Sequence, residues 1–125
     1  MRATIEDITA ALRMYFDGLY HCDVGRLESI FHPAAVYATT DETPFLHRTM
    51  AEYFPIVAAR KSGASRNEAR RDHIEAIDIA SDTIALARVR CSIGSRDFVD
   101  FLTLVHVEGK WQIIAKVFNI IEKQQ

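Results

Sequence analysis

Apolar residues recur with a helical period at the start of the chain. Positions three or four residues apart form one apolar stripe, made of Ile5, Ile8, Leu12, Tyr15, Phe16 and Leu19. This spacing predicts an amphipathic helix that ends at the polar pair His21 and Cys22. Thr4, followed three residues later by Asp7, resembles a capping box at the start of this helix.

A second, shorter helix and a strand are predicted next. Asp23 is a typical N-cap, and Leu27 lies on the inward face of the helix that follows. This helix must end before Pro33, because the residue before a proline avoids the helical region. Residues 35–39 then form a brief strand, and residues 40–44 are a loop.

A third helix follows the loop. Thr49 and Glu52 have the spacing of a capping box, which predicts a helix that runs through Arg60 and ends near Gly63. Pro55 lies inside this stretch, where it either kinks the helix or marks its true start.

From Arg71 onward the pattern changes to the alternation of apolar and polar residues that is typical of strands. Turn residues at Ser81-Asp82, Gly94-Ser95 and Glu108-Gly109 divide this part into four strands, at about 71–80, 83–93, 96–107 and 110–121. Helices first and a strand meander afterwards predict an α+β fold. We expect one domain, residues 1–125, with three N-terminal helices packed on a curved, mixed or antiparallel sheet.

The last two strands form a hairpin in which both faces look buried. A type I turn at residues 107–109, with Gly109 in the left-handed position, would close a bulged hairpin. This register places Phe98, Asp100 and Leu102 opposite Phe118, Lys116 and Ile114 on one face. The other face then carries Val99, Phe101, Thr103, Val105, Trp111, Ile113, Ala115 and Val117.

Asp100 and Lys116 are therefore charged residues in the middle of apolar strands. An unpaired buried charge costs several kcal/mol of desolvation free energy, about 3 to 5 when a partner is removed. Two interpretations remain open: a structural cross-strand ion pair, or the polar floor of a pocket.

Composition narrows the class of protein. The chain has 125 residues, of which 49% are hydrophobic and 26% charged, with a net charge of −2. This is ordinary globular composition without the basic patch that nucleic acid or an anionic membrane requires. No apolar run approaches the roughly 18 residues that cross a bilayer, and the acidic Glu6 and Asp7 do not fit a signal peptide. We expect a cytoplasmic protein.

Metal and cofactor sites are not indicated. Cys22 and Cys91 form no CxxC pair, and the five histidines show no metal-ligand spacing. His73 alternates with Glu75 and could serve as a general base at a cavity mouth, although a solvated strand edge is the simpler interpretation. Arg88 and Arg90 share a face that is either a wet or interface surface or an anion site.

Two segments carry a resemblance to a known family. Residues Tyr15 to Pro33 and Asp100 to Phe118 resemble the nuclear transport factor 2-like superfamily, which includes the SnoaL and ketosteroid isomerase-like proteins, and within it the putative lumazine-binding branch. The resemblance implies a cone-shaped fold with a cavity at its open end and a homodimer through the convex face of the sheet. We expect that interface to contain Phe101, Thr103, Val105, Trp111 and Ile113.

The resemblance also implies a comparison with ketosteroid isomerase, which uses a carboxylate base together with a Tyr and a protonated Asp. Tyr15 and Asp100 match the two oxyanion donors. The base position falls near Thr39, whose hydroxyl cannot remove a carbon-bound proton, and Asp41 could replace it only if the strand shifts. Lys116 beside Asp100 would keep that carboxyl ionised and unable to donate a hydrogen bond.

Candidate site residues follow from both arguments. The predicted ligand-binding set is Tyr15, Phe31, Tyr37, Phe54, Phe98, Asp100, Leu102, Lys116 and Phe118. Asp100, Tyr15 and His73 are the candidate catalytic groups. For Tyr15 and the phenylalanines, ordinary core packing remains an alternative.

Three functions remain open. The first is a non-catalytic protein that binds a small planar or hydrophobic molecule in the cone. The second is a cofactor-free isomerase, dehydratase or cyclase acting on a hydrophobic ketone, and the missing base near Thr39 separates it from the first. The third is a dimeric interaction module whose cone is filled.

Overall fold

The computed structural model describes residues 5–121. Its helices are α1 (Ile5–His21), α2 (Val24–Ile30) and α3 (Met50–Ala58), with a 3-10 turn at Ala64–Arg66. Its strands are β1 (Phe31–Thr39), β2 (Leu46–Thr49), β3 (His73–Ile79), β4 (Ile84–Ile93), β5 (Arg96–Val107) and β6 (Lys110–Ile121). None of these helices is long and apolar enough to cross a membrane.

The predicted caps explain where two of the helices begin. The Asp23 side chain accepts a hydrogen bond from the Arg26 backbone N–H at 3.2 Å, which caps α2. Thr49 and Glu52 form the predicted capping box of α3. Pro55 lies inside α3 and does not mark its start. The predicted cap at Thr4 lies outside the described residues.

The strands form one six-stranded sheet in the order β2-β1-β6-β5-β4-β3. β1 and β6 are parallel, whereas the other neighbouring pairs are antiparallel, so the sheet is mixed. The predicted α+β fold and the four-stranded meander are confirmed. The short strand β2 was not predicted, because four residues are too few to display a period and its pairing with β1 is a tertiary contact.

The helices fill the concave side of the sheet. Ile8, Leu12 and Tyr15 of α1 are fully buried in the core. Gly18 allows α2 to approach closely, since a Cβ atom at this position would lie 2.6 Å from Cδ2 of Leu27. The two helices therefore pack directly against each other.

The predicted register of the last hairpin is wrong by two residues. Glu108 and Gly109 both have positive φ, at 51° and 84°, and form a two-residue turn that joins Val107 to Lys110. This is the type I′ geometry rather than the three-residue turn that we predicted. A bulge follows, because the register shifts between Thr103 and Leu104 and leaves Ile114 without a partner.

The turn and the bulge together determine which side chains face the core. Beyond the bulge, Asp100 pairs with Phe118 and Leu102 pairs with Lys116. A two-residue slip keeps Asp100 and Lys116 on the same inner face, as diagonal neighbours instead of direct partners.

Between the bulge and the turn the slip is one residue, which reverses the faces. Trp111 and Ile113 are therefore buried in the core, and their predicted place in a convex interface is wrong. The large apolar side chains exposed on β4, β5 and β6 include Ile84, Leu86, Phe101 and Val117, which we call the convex patch.

Candidate functional site

A buried hydrogen bond joins α1 to β5. The Tyr15 hydroxyl donates to Oδ2 of Asp100 at 2.6 Å, and both residues are buried. The resemblance to ketosteroid isomerase placed these two residues at one site, as separate oxyanion donors, and did not predict a bond between them. In this arrangement the tyrosine hydrogen is already used by the carboxylate, so it is not directed at a ligand.

The rest of the Asp100 environment is apolar or weakly polar. Only 1% of Asp100 is exposed, and the Cys91 thiol donates to its Oδ2 at 3.5 Å. Oδ1 is buried and has no hydrogen-bond partner within residues 5–121. Burial, together with the charge of Asp100, raises the pKa of both Tyr15 and Cys91, so both remain protonated near neutral pH.

Lys116 is enclosed by aromatic rings. Its Nζ lies 5.2 Å from the ring centroid of Tyr15, 5.5 Å from those of Tyr37 and Tyr53, and 5.4 Å from that of Phe118. These distances are typical of cation–π contacts. We call these four residues the aromatic cage.

Asp100 is not the ion-pair partner that we considered for Lys116. None of the ion pairs formed by the described residues joins them. Lys116 is 6% exposed. Burial alone lowers the pKa of Lys116, but Tyr53 and the Asp100 carboxylate raise it, and the net shift is upward. The lysine is therefore a buried cation at neutral pH.

A cavity of about 340 Å³ opens above the cage. Its lining includes Lys116 with three rings of the cage, and also Phe98. Charged residues complete the lining: Asp41, Glu42, Arg60 and Arg96. The remaining lining residues are Leu19, Thr39, Cys91, Ile93 and Ile120. The cavity is thus aromatic around the lysine, and the rest of its lining mixes charged and apolar side chains.

The structure separates the predicted ligand-binding residues into two groups. Tyr37, Phe98, Lys116 and Phe118 line the cavity, whereas Tyr15, Phe31, Phe54, Asp100 and Leu102 do not. Phe31 packs against Tyr15 with ring centroids 5.9 Å apart. Phe54 packs against Phe31 at 6.1 Å. The apolar members of this second group belong to the hydrophobic core or pack against it.

His73 does not line this cavity. It lies in a separate surface groove with Arg13 and Asp72, and its side chain is largely exposed. Its Nε2 is 3.8 Å from Oε2 of Glu75. Glu75 also accepts hydrogen bonds from Nε of Arg88 at 2.7 Å and from Nε of Arg90 at 2.6 Å. These residues form a surface ion-pair network.

The side chains at the predicted base position, Thr39 and Asp41, already form hydrogen bonds within the protein. Thr39 is buried, and its hydroxyl oxygen accepts a hydrogen bond from the Asp41 backbone N–H at 3.2 Å. The Asp41 carboxylate accepts from Nδ2 of Asn119 at 3.1 Å and from the backbone N–H of Ile120. Asp41 therefore fastens the loop after β1 to the end of β6.

The predicted ligand-binding set omitted ten of the fourteen lining residues, and three of the ten are aromatic or cationic: Tyr53, Arg60 and Arg96. Tyr53 lies on the buried side of α3, where the sequence pattern does not distinguish a cavity residue from a core aromatic residue. Arg60 follows α3 and Arg96 begins β5, and nothing in their local sequence distinguishes them from other surface arginines. Within residues 5–121 no group of three or more His, Cys, Asp or Glu side chains could hold a metal ion.

Solved structures with similar folds include two proteins of unknown function. A protein of unknown function from Shewanella baltica, described as NTF2-like, is 23% identical, with a TM-score of 0.84 and coverage of 98% of this chain and 100% of that chain. Another from Silicibacter pomeroyi is 24% identical, with a TM-score of 0.80 and coverage of 94% and 95%. At these identities the likeness establishes the fold alone.

Sequence comparisons give a local and a nearly full-length match. The aldolase FrzH of Cladobotryum sp is 35% identical over 48 residues, and the aligned segment spans 38% of this chain and 38% of that protein. The family described as putative lumazine-binding matches residues 3–119. The chain therefore belongs to the putative lumazine-binding family, and its fold is that of the NTF2-like structures.

Proposed function

We propose that this protein binds a small, flat, partly polar organic molecule in the cavity above the aromatic cage. The observation that carries the proposal is the Lys116 ammonium, which lies among four rings and lines a cavity of about 340 Å³. Small-molecule sites are typically apolar, with a few placed polar groups. A buried ammonium is a strong donor for a carbonyl or anionic oxygen of a ligand.

The aromatic lining favours a flat ligand. Tyr37, Phe98 and Phe118 offer ring faces and edges to a planar molecule, and aromatic pairs of this kind contribute about 0.5 to 1.5 kcal/mol beyond the area they bury. Lumazine, the ligand named by the family description, is a flat two-ring heterocycle with two carbonyl groups. Its shape and its acceptors match the rings and the ammonium.

The same residues argue against proton transfer of the ketosteroid isomerase type. That reaction needs a base and free oxyanion donors. Thr39 is at the base position, and Tyr15 donates its hydrogen to Asp100. Asp41, the other candidate base, is bonded to the end of β6. The open cavity likewise argues against a filled cone.

Isothermal titration with lumazine tests the proposal, and a thermal-shift screen of pterins, flavins, ketones and polyketide-like aromatics extends it. We expect Lys116→Met to weaken binding about tenfold or more, because a hydrogen bond to a charged group contributes about 1.5 to 3 kcal/mol. Lys110→Met, on the exposed start of the same strand, is the matched control and leaves binding unchanged. Circular dichroism verifies that both variants are folded.

Two results would contradict the proposal. In the first, no flat carbonyl compound of the panel binds or stabilises the protein. In the second, Lys116→Met binds its ligand as tightly as the wild type. Turnover of a simple unsaturated ketone that Asp100→Asn abolishes would favour the isomerase alternative instead.

A further inference from the structure

We infer that the ligand is an acid: besides an acceptor that meets Lys116, it carries an anionic group that binds Arg60 and Arg96. This inference rests on the proposed function and specifies the class of molecule, a flat aromatic or heteroaromatic ring with a carboxylate or a similar anion. Lys116, Arg60 and Arg96 all line the same cavity.

The guanidinium groups of the two arginines are unpaired within residues 5–121. Neither the Arg60 nor the Arg96 side chain forms a hydrogen bond or an ion pair there, and the one bond of Arg60 outside helix α3 runs from its backbone N–H to the Val57 carbonyl. Six other arginines do form ion pairs, namely Arg26, Arg66, Arg70, Arg71, Arg88 and Arg90. Two guanidinium groups are thus available to a ligand in the cavity.

The carboxylates of the cavity offset only part of its positive charge. Asp41 and Glu42 are the acidic lining residues, against three cationic ones. The Asp41 carboxylate already accepts hydrogen bonds from Asn119 and from the backbone of Ile120. Glu42 is exposed to solvent and forms no ion pair within the described residues.

A cationic ligand does not fit this cavity. Aromatic cages attract ammonium ions, but Lys116 already supplies the cation to this one. A second cation above it would meet like charge, because Lys116, Arg60 and Arg96 outnumber the two carboxylates of the lining. An anion, in contrast, is attracted by Lys116 and by both arginines, and a guanidinium can bind a carboxylate through two parallel hydrogen bonds.

A matched pair of ligands isolates the anionic group. Lumazine-6-carboxylate and lumazine-6-carboxamide have nearly the same shape and differ in charge, so their Kd values are compared by isothermal titration. We expect the wild type to bind the carboxylate about tenfold or more tightly. We also expect this preference to shrink as salt is added, because exposed charges are screened.

Two variants test whether Arg60 and Arg96 cause the preference for the carboxylate. The double variant Arg60→Gln with Arg96→Gln is expected to lose the preference for the carboxylate while its Kd for the carboxamide stays within about twofold of the wild type. Arg13→Gln removes an arginine outside the cavity and keeps the full preference. Circular dichroism and thermal melts establish that each variant is folded.

The outcomes separate this inference from the proposed function. If both ligands bind equally well in a manner that depends on Lys116, the inference is overturned and the proposed function stands. The inference also fails if the double variant keeps the preference for the carboxylate. If neither ligand binds, both are overturned for this ring system.

Discussion

Tyr15 and Asp100 are 85 positions apart in the sequence and are joined by a buried hydrogen bond of 2.6 Å. The bond ties the middle of α1 to the centre of β5. On the same inner face of the sheet, Lys116 lies among aromatic rings instead of pairing with the carboxylate. Asp100 therefore forms a structural hydrogen bond with Tyr15, whereas Lys116 contacts aromatic rings and lines the cavity.

Removal of the Tyr15 hydroxyl should destabilise the fold. We expect Tyr15→Phe to lower the free energy of unfolding by about 1 to 3 kcal/mol, because Asp100 then keeps only the weak Cys91 thiol as a donor while its other oxygen is already unpartnered. A double-mutant cycle with Asp100→Asn, measured by urea denaturation, should give a coupling free energy of about 0.5 to 3 kcal/mol.

The matched comparison is a second cycle that combines Asp100→Asn with Lys116→Met. Its coupling should be smaller, because no ion pair joins Asp100 and Lys116 within the described residues. A larger coupling for the lysine than for the tyrosine would show that the ion pair exists in solution.

Stability should fall at alkaline pH. Burial raises the pKa of Tyr15 above its ordinary value of 10.0, and the net shift of the Lys116 pKa from its ordinary 10.5 is also upward. Both groups keep their protons in the native state at pH values where the unfolded chain releases them, so this stabilisation is complete below about pH 10 and is lost as pH rises further. Each group adds a slope of up to about 1.4 kcal/mol per pH unit.

Urea denaturation between about pH 8 and pH 11 measures this slope. The free energy of unfolding of Tyr15→Phe should fall less steeply than that of the wild type above about pH 10, since the phenylalanine side chain has no ionisable proton. Equal slopes for the two proteins would contradict the assignment of the alkaline loss to Tyr15.

We propose that the protein is a homodimer through the convex patch of Ile84, Leu86, Phe101 and Val117. Phe101 pairs with Val117 on β6 and with Arg88 on β4, so the exposed apolar side chains of three strands adjoin each other. Contiguous apolar surface of this kind is typical of protein interfaces. Light scattering at micromolar concentration should give twice the mass of the chain.

Phe101→Glu should convert the dimer to a monomer, because it would bury a charge in the interface. Phe45→Glu is the matched control: Phe45 is 61% exposed, against 49% for Phe101, but lies in the loop before β2. A wild type that scatters as a monomer, or a Phe101→Glu variant that remains dimeric, would refute this interface.

The local elements were predictable because their signals are local. The caps at Asp23 and at Thr49 with Glu52 satisfy backbone N–H groups within three residues, so the sequence alone reveals them. The turn residues of the meander determine the backbone conformation of only two neighbouring positions, so they too are visible in the sequence. The four predicted strands match β3 to β6. The placement of Asp100 and Lys116 on the inner face also followed from the sequence, because both interrupt apolar strands.

The tertiary structure decided the register and the partners. The bulge at Ile114 turns Trp111 and Ile113 into the core, and no local signal marks it, since the gain comes from packing against the helices. The cavity needs side chains from α3, β1, β5 and β6, which only the tertiary fold brings together. The sequence by itself determined that two charged residues, Asp100 and Lys116, are buried in this fold. The convergence of distant segments decided that Tyr15 holds the acid and that aromatic rings surround the base.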